Sequence, residues 1–120
     1  MSSRIPAPAI VAEPIDWRAL LAQFQDREAF VRKLADSVLV AHAETPARLR
    51  AAAASGDHET LAFLAHTLKG VGGNMKAAHV QTLATQTERD ARTGHADTGA
   101  SAAHLAEAVD AMLAALKARA

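Results

Sequence analysis

Residues 61–75 read LAFLAHTLKGVGGNM, and this stretch decides the fold class. Its apolar side chains recur at steps of three and four residues, which is the repeat of an α-helix with one buried face. At about 100° of rotation per residue, its five large apolar side chains fall within roughly 40° of the pole opposite His66. They are Leu61, Leu64, Leu68, Val71 and Met75. The stretch predicts a helix that Asp57 caps, that reaches about Met75, and whose His66 faces away from the core.

The sequence on either side of this helix predicts five more helices. A short helix carries Trp17, Leu20, Leu21 and Phe24 on its apolar side. Three longer helices are also predicted: one that begins after Asp26 and ends near residue 43, one over residues 77–93, and one that begins near residue 98. A further short helix lies between about residues 45 and 55. Capping and stop residues mark the ends, namely Asp16 and Asp26 as N-caps, Thr45-Pro46 as a start, and Gly56 and Gly94 as stops.

The composition agrees with an all-α domain. About a quarter of the 120 residues are alanine, a strong helix former, and only 3% are aromatic. Long helices that are joined by short connections favour antiparallel neighbours. Residues 15–118 are therefore predicted to form an up-down four-helix bundle with two short accessory helices. Residues 1–14 contain three prolines and are predicted to be a flexible tail or linker.

Charge, cysteine content and hydropathy exclude several classes of function. Thirteen basic and thirteen acidic side chains leave no net charge, which argues against binding to nucleic acid. The chain has no cysteine, so it has no disulfide framework and no thiolate metal site. No apolar run approaches the roughly 18 residues of a membrane span. We expect a cytoplasmic domain without direct membrane insertion.

The surroundings of His66 need a physical reason, because glycine inside a helix costs about 0.5–1 kcal/mol relative to alanine. Gly72 falls near the core edge, where it permits a close helix contact. Gly70 and Gly73 flank His66 on the outer face, where no packing within the chain is expected to require their lack of a side chain, and Ala62 lies one turn before it. A bare surface around one imidazole suits a partner whose active site closes over the ring.

The chemistry of such a site is phosphoryl transfer. A neutral imidazole is a good nucleophile near physiological pH, and the ammonium of Lys69, one turn along, offsets the charge of a phosphate. No phosphate-cradling glycine loop and no carboxylate cluster for magnesium is apparent, so no cofactor is expected in this chain. A partner would supply the catalytic apparatus, and the chain would have no kinase activity of its own. The alternative is that His66 is an ordinary surface histidine.

Residues 64–70, LAHTLKG, resemble the signature of histidine-containing phosphotransfer (HPt) domains of multistep phosphorelays, and the resemblance covers roughly residues 16–116. It implies a helical bundle whose histidine exchanges a phosphoryl group with aspartates of response-regulator receiver domains, which carry Mg²⁺. By this resemblance His66 is the phosphoryl acceptor and Lys69 stabilises the phosphate, while Gly70 and Gly73 are the small residues beside the ring. A hybrid sensor histidine kinase is the implied further partner, and the chain is either a free protein or the cytoplasmic C-terminal part of such a kinase.

One position departs from the family pattern. Many members have glycine ten residues after the histidine, where this sequence has Lys76. On the helical wheel Lys76 falls near the side of Lys69, so it is predicted either to add a positive charge for the phosphate or partner, or to mark the helix end.

The remaining charged residues and histidines are predicted to be structural. Glu88 and Asp90 alternate with arginines as on an exposed helix face. The other five histidines are predicted to lie at the surface or at helix ends without binding metal; they are His42, His58, His79, His95 and His104.

Two other functions stay open at this stage. The chain is alternatively a phosphorylation-independent adaptor that binds a receiver or another helical protein. It is also compatible with the histidine-bearing domain of a chemotaxis-type kinase, although the chain's end soon after Leu116 disfavours that within this polypeptide.

Overall fold

A computed structural model describes residues 13–119, and these form six helices without a strand. The predicted tail lies outside the described residues except for positions 13 and 14. Two helices are short, α1 (Trp17–Gln23) and α3 (Thr45–Ser55). The four longer ones are α2 (Glu28–His42), α4 (His58–Asn74), α5 (Ala78–Thr93) and α6 (Thr98–Arg119). The all-helical prediction is confirmed for this part of the chain.

Local sequence signals set most of the helix ends. Gly56 and Gly94 end α3 and α5 in the left-handed conformation, with φ of 66° and 64°, which glycine adopts without steric cost. Asp16 and Asp57 cap α1 and α4 by accepting hydrogen bonds from the backbone N–H groups three residues later. The predictions for Gly56, Gly94, Asp16 and Asp57 are therefore confirmed.

Two predicted capping residues are wrong, although α3 does begin at Thr45-Pro46 with proline in its first turn, as predicted. The N-cap of α2 is Arg27, which makes no side-chain cap bond, and Asp26 itself is left-handed with φ of 58° in the preceding turn. Thr45 lies inside α3, whose N-cap is Glu44. The Thr45 hydroxyl is buried and lies 3.0 Å from Nδ1 of His42 instead of capping the helix.

The core is built mainly between α4, α5 and α6. Helix α4 packs against α5 and α3, and α6 packs against α5, α3 and α2. Fully buried leucines such as Leu61, Leu68 and Leu105 carry the contact, and each stabilises the fold by about 1.5–3 kcal/mol. Alanines between them let the helix axes approach closely.

Gly72 lies at a close approach between α4 and the start of α5. A Cβ atom placed there would lie 2.8 Å from the backbone nitrogen of Gln81 and 3.2 Å from the carbonyl oxygen of Ala77. The interpretation of Gly72 as a close-contact residue is confirmed. This contact fixes the distance between the two helices that carry the site described below.

The short helix α1 is attached at the same end of α4. The backbone N–H of Asp16 donates to the carbonyl oxygen of Lys76 at 2.9 Å, and Ile15 and Leu20 are fully buried. Among residues 13–119, no helix combines the length and the apolarity that crossing a membrane requires.

Candidate phosphotransfer site

His66 projects from α4 on the side away from the core, and its side chain is 64% exposed. The predicted stripe explains this orientation, because Leu61, Leu64, Leu68 and Met75 are buried on the opposite side. Val71 is partly buried and packs against the same core.

A carboxylate of the neighbouring helix holds one nitrogen of the exposed ring. Nδ1 of His66 lies 3.0 Å from Oε2 of Glu88 on α5. No described residue hydrogen-bonds the other ring nitrogen, Nε2. The imidazole is thus fixed at one nitrogen and open at the other.

Two cations share the same carboxylate. Lys69 Nζ lies 3.0 Å from Oε1 of Glu88, and Arg92 donates to Oε2 from Nε at 3.0 Å and from Nη2 at 2.8 Å. The hydrogen bonds from Arg92, and next those from Lys69 and His66, lower the pKa of Glu88 to about 2. Glu88 is therefore ionised at physiological pH, and its two oxygens only accept hydrogen bonds.

The prediction that Glu88 and Asp90 lie on an exposed helix face is wrong. Both residues are buried, with 8% and 1% of their surface exposed, and Asp90 accepts a 2.6 Å hydrogen bond from the hydroxyl of Ser101. The sequence does contain a signal for Glu88, which lies four residues after Ala84 and three before Ala91, a spacing that puts it on the same helix face as these two small apolar residues. The alternation of acidic residues with arginines favours an exposed face, and so it concealed the inward position of Glu88. Arg92, like Glu88, was not identified from the sequence as part of the site.

The two glycines beside His66 have different surroundings. A Cβ atom at Gly70 would meet nothing within 4 Å, so the chain itself does not require a bare position there. A Cβ atom at Gly73 would lie 3.1 Å from the side-chain nitrogen of Gln81. The interpretation that no packing within the chain restricts Gly73 is therefore wrong in part.

The other two predicted partner-facing residues, Ala62 and Lys76, lie in unlike settings. Ala62 is buried, with 8% of its surface exposed between α4 and α5. Lys76 lies beyond the end of α4 with φ of 56°, a left-handed conformation that favours glycine. The helical-wheel position used for Lys76 does not apply outside the helix, and the conformation explains why glycine suits this place.

Metal ligands do not cluster around the site. Within residues 13–119, no group of three or more histidine and acidic side chains is arranged to hold a metal ion. Among the other histidines, His42 is half-buried, and this burial lowers its pKa.

Comparison with known proteins identifies the family. The family model of the Hpt domain matches residues 33–119, a span that contains His66, Lys69, Glu88 and Arg92. No curated protein and no solved structure is similar enough to the chain to count as a match. The match covers well over half of the chain and coincides with the helices that build the site. The chain therefore belongs to the Hpt domain family, whose members carry out histidine phosphotransfer in phosphorelays.

Proposed function

We propose that the chain is a phosphorelay intermediate in which Nε2 of His66 accepts a phosphoryl group from an aspartate of one receiver domain and passes it to an aspartate of another. The observation that carries this proposal is the contact between Nδ1 of His66 and the carboxylate of Glu88, on a ring that is 64% exposed. The family assignment supports the same function.

The Glu88 carboxylate selects the reactive nitrogen. Because the ionised carboxylate only accepts hydrogen bonds, Nδ1 of His66 carries the proton in this contact. In the neutral ring, Nε2 then keeps its lone pair, on a side chain that is 64% exposed. The nucleophile is therefore prepared before a partner binds.

The proposed transfer balances without a proton leaving the ring. Nε2 attacks the phosphorus of the aspartyl phosphate, the N–P bond forms, and the P–O bond to the aspartate breaks to release its carboxylate. The positive charge that develops on the ring is stabilised through Nδ1–H by the carboxylate of Glu88. In the onward step the carboxylate of a second receiver attacks the phosphorus, the new P–O bond forms, and the N–P bond breaks with its electron pair returning to Nε2, which restores neutral His66.

Lys69 is the proposed phosphate-stabilising residue. Its ammonium is held by the 3.0 Å contact with Glu88, which also contacts the ring, and its side chain is 39% exposed, so it is available to a phosphoryl group on His66. A cation beside the phosphoryl oxygens offsets their charge. The proposal places Mg²⁺ on the receiver domain and none in this chain.

The proposal also includes a surface and an architecture. Ala62, Gly70, Gly73 and Lys76 are proposed to face the partner, which is a receiver domain, free or attached to a hybrid sensor kinase in the cytoplasm. The four longer helices are proposed to form an up-down antiparallel bundle, with α1 and α3 as accessory helices. The short connections and the packing of α4 on α5 and of α5 and α2 on α6 support this arrangement.

Transfer from a phosphorylated receiver domain tests the function. Wild-type chain is expected to acquire phosphate that is labile in acid and stable in base, as a phosphohistidine is, and His66→Gln is expected to acquire none. Equal labelling of His66→Gln would contradict the proposal. Receiver binding by His66→Ala together with no transfer to the wild type would establish the adaptor function in its place.

A further inference from the structure

A groove between α2 and α6 is lined mainly by apolar side chains and has a volume of about 710 Å³. Its α2 wall includes Val40, which is 83% exposed, and its α6 wall includes Leu113 and Ala114. An apolar groove with a strongly exposed valine on its wall is a candidate interaction surface. The groove is separate from the phosphotransfer site, because none of its lining residues belongs to α4 or α5.

The charged side chains of this groove follow a simple order along α6. The lining contains two of them, Asp110 and Lys117. They are seven residues apart, so they lie on one face of the helix, about 10 Å from each other along its axis. Leu113 and Ala114 lie midway between them on the same face. This face of α6 therefore has an acidic end, an apolar middle and a basic end.

Both charges can take a further partner. Lys117 is exposed and forms no ion pair with another of residues 13–119. Asp110 already has one ion pair, in which Arg50 contacts Oδ2 at 2.8 Å. The Asp110 side chain is nevertheless 51% exposed, and its Oδ1 accepts no hydrogen bond from the described part of the chain. A second cation can therefore reach Asp110 without displacing Arg50.

We propose that this groove is the interface of a symmetric dimer, and that its occupant is a second copy of the chain. A twofold axis between Leu113 and Ala114 places α6 antiparallel to α6 of the second copy. Asp110 of each copy then lies opposite Lys117 of the other, which gives one ion pair on each side of an apolar centre. A twofold interface needs a surface that complements itself, and the acidic, apolar and basic order along α6 meets this requirement. Val40 adds apolar surface beside the axis.

Charge reversal on α6 tests the antiparallel arrangement by sedimentation equilibrium. The wild-type chain is expected to form a dimer with a dissociation constant below about 100 µM. Lys117→Asp and Asp110→Lys each place like charges opposite one another, so each variant alone is expected to dimerise at least about tenfold more weakly. An equimolar mixture of the two variants restores opposite charges at both positions and is expected to dimerise within about threefold of the wild type. A wild-type chain that is monomeric at about 100 µM would overturn the proposal, as would a mixture that associates no better than either variant alone.

A matched pair of variants locates the interface. Val40→Asp places a charge in the apolar part of the groove and is expected to weaken the dimer at least about tenfold. Phe63→Asp introduces the same charge at a residue of α4 that is 64% exposed and lies outside this groove, so it should leave the dimer intact. Arg50→Gln removes the ion pair within the chain and should leave the dimer intact as well. Circular dichroism verifies that each variant is folded, and a dimer that Phe63→Asp dissociates and Val40→Asp does not would overturn the proposal.

Phosphoryl transfer distinguishes this occupant from a receiver domain. Because α4 and α5 lie outside the interface, both His66 rings of the dimer stay accessible, and Val40→Asp is expected to take phosphate from a phosphorylated receiver at the wild-type rate. That rate, together with loss of the dimer in Val40→Asp, supports the proposal. A wild-type chain that is monomeric, and that loses transfer from the receiver on Val40→Asp, would assign the groove to the receiver and overturn the proposal. Dimerisation is measured without phosphate, so its outcome does not depend on the proposed function.

Discussion

Glu88 and His66 meet across the contact between α4 and α5, with Oε2 of Glu88 3.0 Å from Nδ1 of His66. The two residues are 22 positions apart, and Gly72 permits the close helix approach that brings them together. The same carboxylate holds Lys69 and Arg92. One buried acidic side chain thus organises the three groups nearest to the proposed reaction.

Replacing Glu88 is expected to slow phosphorylation of His66 without unfolding the chain. Glu88→Ala removes the acceptor for Nδ1–H, and a charge-assisted hydrogen bond is worth about 1.5–3 kcal/mol, which corresponds to a loss of about tenfold to a hundredfold. The rate of phosphorylation of His66 is measured with phosphoramidate, a small-molecule phosphoryl donor. ¹⁵N NMR of the imidazole reports which nitrogen carries the proton. Glu88→Gln keeps an acceptor oxygen and separates hydrogen bonding from charge. A wild-type rate in Glu88→Ala would contradict the assigned role.

The stabilisation contributed by Glu88 is expected to disappear in acid. Its pKa is lowered to about 2 in the folded chain, so the stabilisation is fully present above the unfolded value of about 4.5 and is lost as the pH falls towards 2. The measurement is urea unfolding of the wild type and Glu88→Gln between pH 7 and pH 2. The difference in unfolding free energy between the two proteins should be constant above about pH 5.5 and shrink below it. If the difference in unfolding free energy grew in acid, the direction assigned to the pKa shift of Glu88 would be wrong.

Two glycines of the same helix are expected to respond to alanine with opposite signs. At Gly72 the new methyl group meets the backbone of Gln81 at 2.8 Å, so Gly72→Ala should destabilise the fold by about 1–2 kcal/mol even after its gain in helix propensity. At Gly70 nothing lies within 4 Å, and Gly70→Ala should stabilise the fold by about 0.5–1 kcal/mol. Urea unfolding followed by circular dichroism measures both. Equal effects at the two positions would contradict the assigned helix contact.

The parts of the fold that could be predicted from the sequence depend on neighbours in the chain. The buried stripe opposite His66 and the stops at Gly56 and Gly94 follow from helical periodicity and backbone conformation alone. The predicted cap at Asp26 failed because the turn before α2 takes a left-handed conformation at that residue.

The candidate site could be predicted only in part because its remaining contacts join different helices. His66 and Lys69 share one face of α4, which a helical wheel shows. Glu88 joins them through packing of α4 on α5, and a single sequence does not reveal that two helices are neighbours with this register. The position of Lys76 could not be predicted from a helical wheel, because the wheel assumes that the helix continues and α4 ends before this residue.

Lys76 is expected to show opposite effects on stability and on transfer. Its φ of 56° is unfavourable for a side chain with a Cβ atom, so Lys76→Gly should stabilise the fold by about 1 kcal/mol. The same change removes a charge from the proposed partner surface and should slow transfer from the receiver about threefold at low salt, with the difference fading at high salt. Lys76→Asn, which tolerates the left-handed conformation, is the control for the charge alone. A destabilised Lys76→Gly would contradict the conformational argument.

Lys69 is expected to act on the phosphoryl group itself, and that distinguishes it from a docking residue. Lys69→Gln removes the cation next to the ring, so phosphorylation of His66 should fall about tenfold or more with both the receiver domain and phosphoramidate. Lys33→Gln on α2 removes the same charge from an exposed position and should leave both rates unchanged. Both rates follow from the appearance of phosphohistidine over time. A loss confined to the receiver would make Lys69 part of the docking surface, and an equal loss in Lys33→Gln would attribute the effect to net charge.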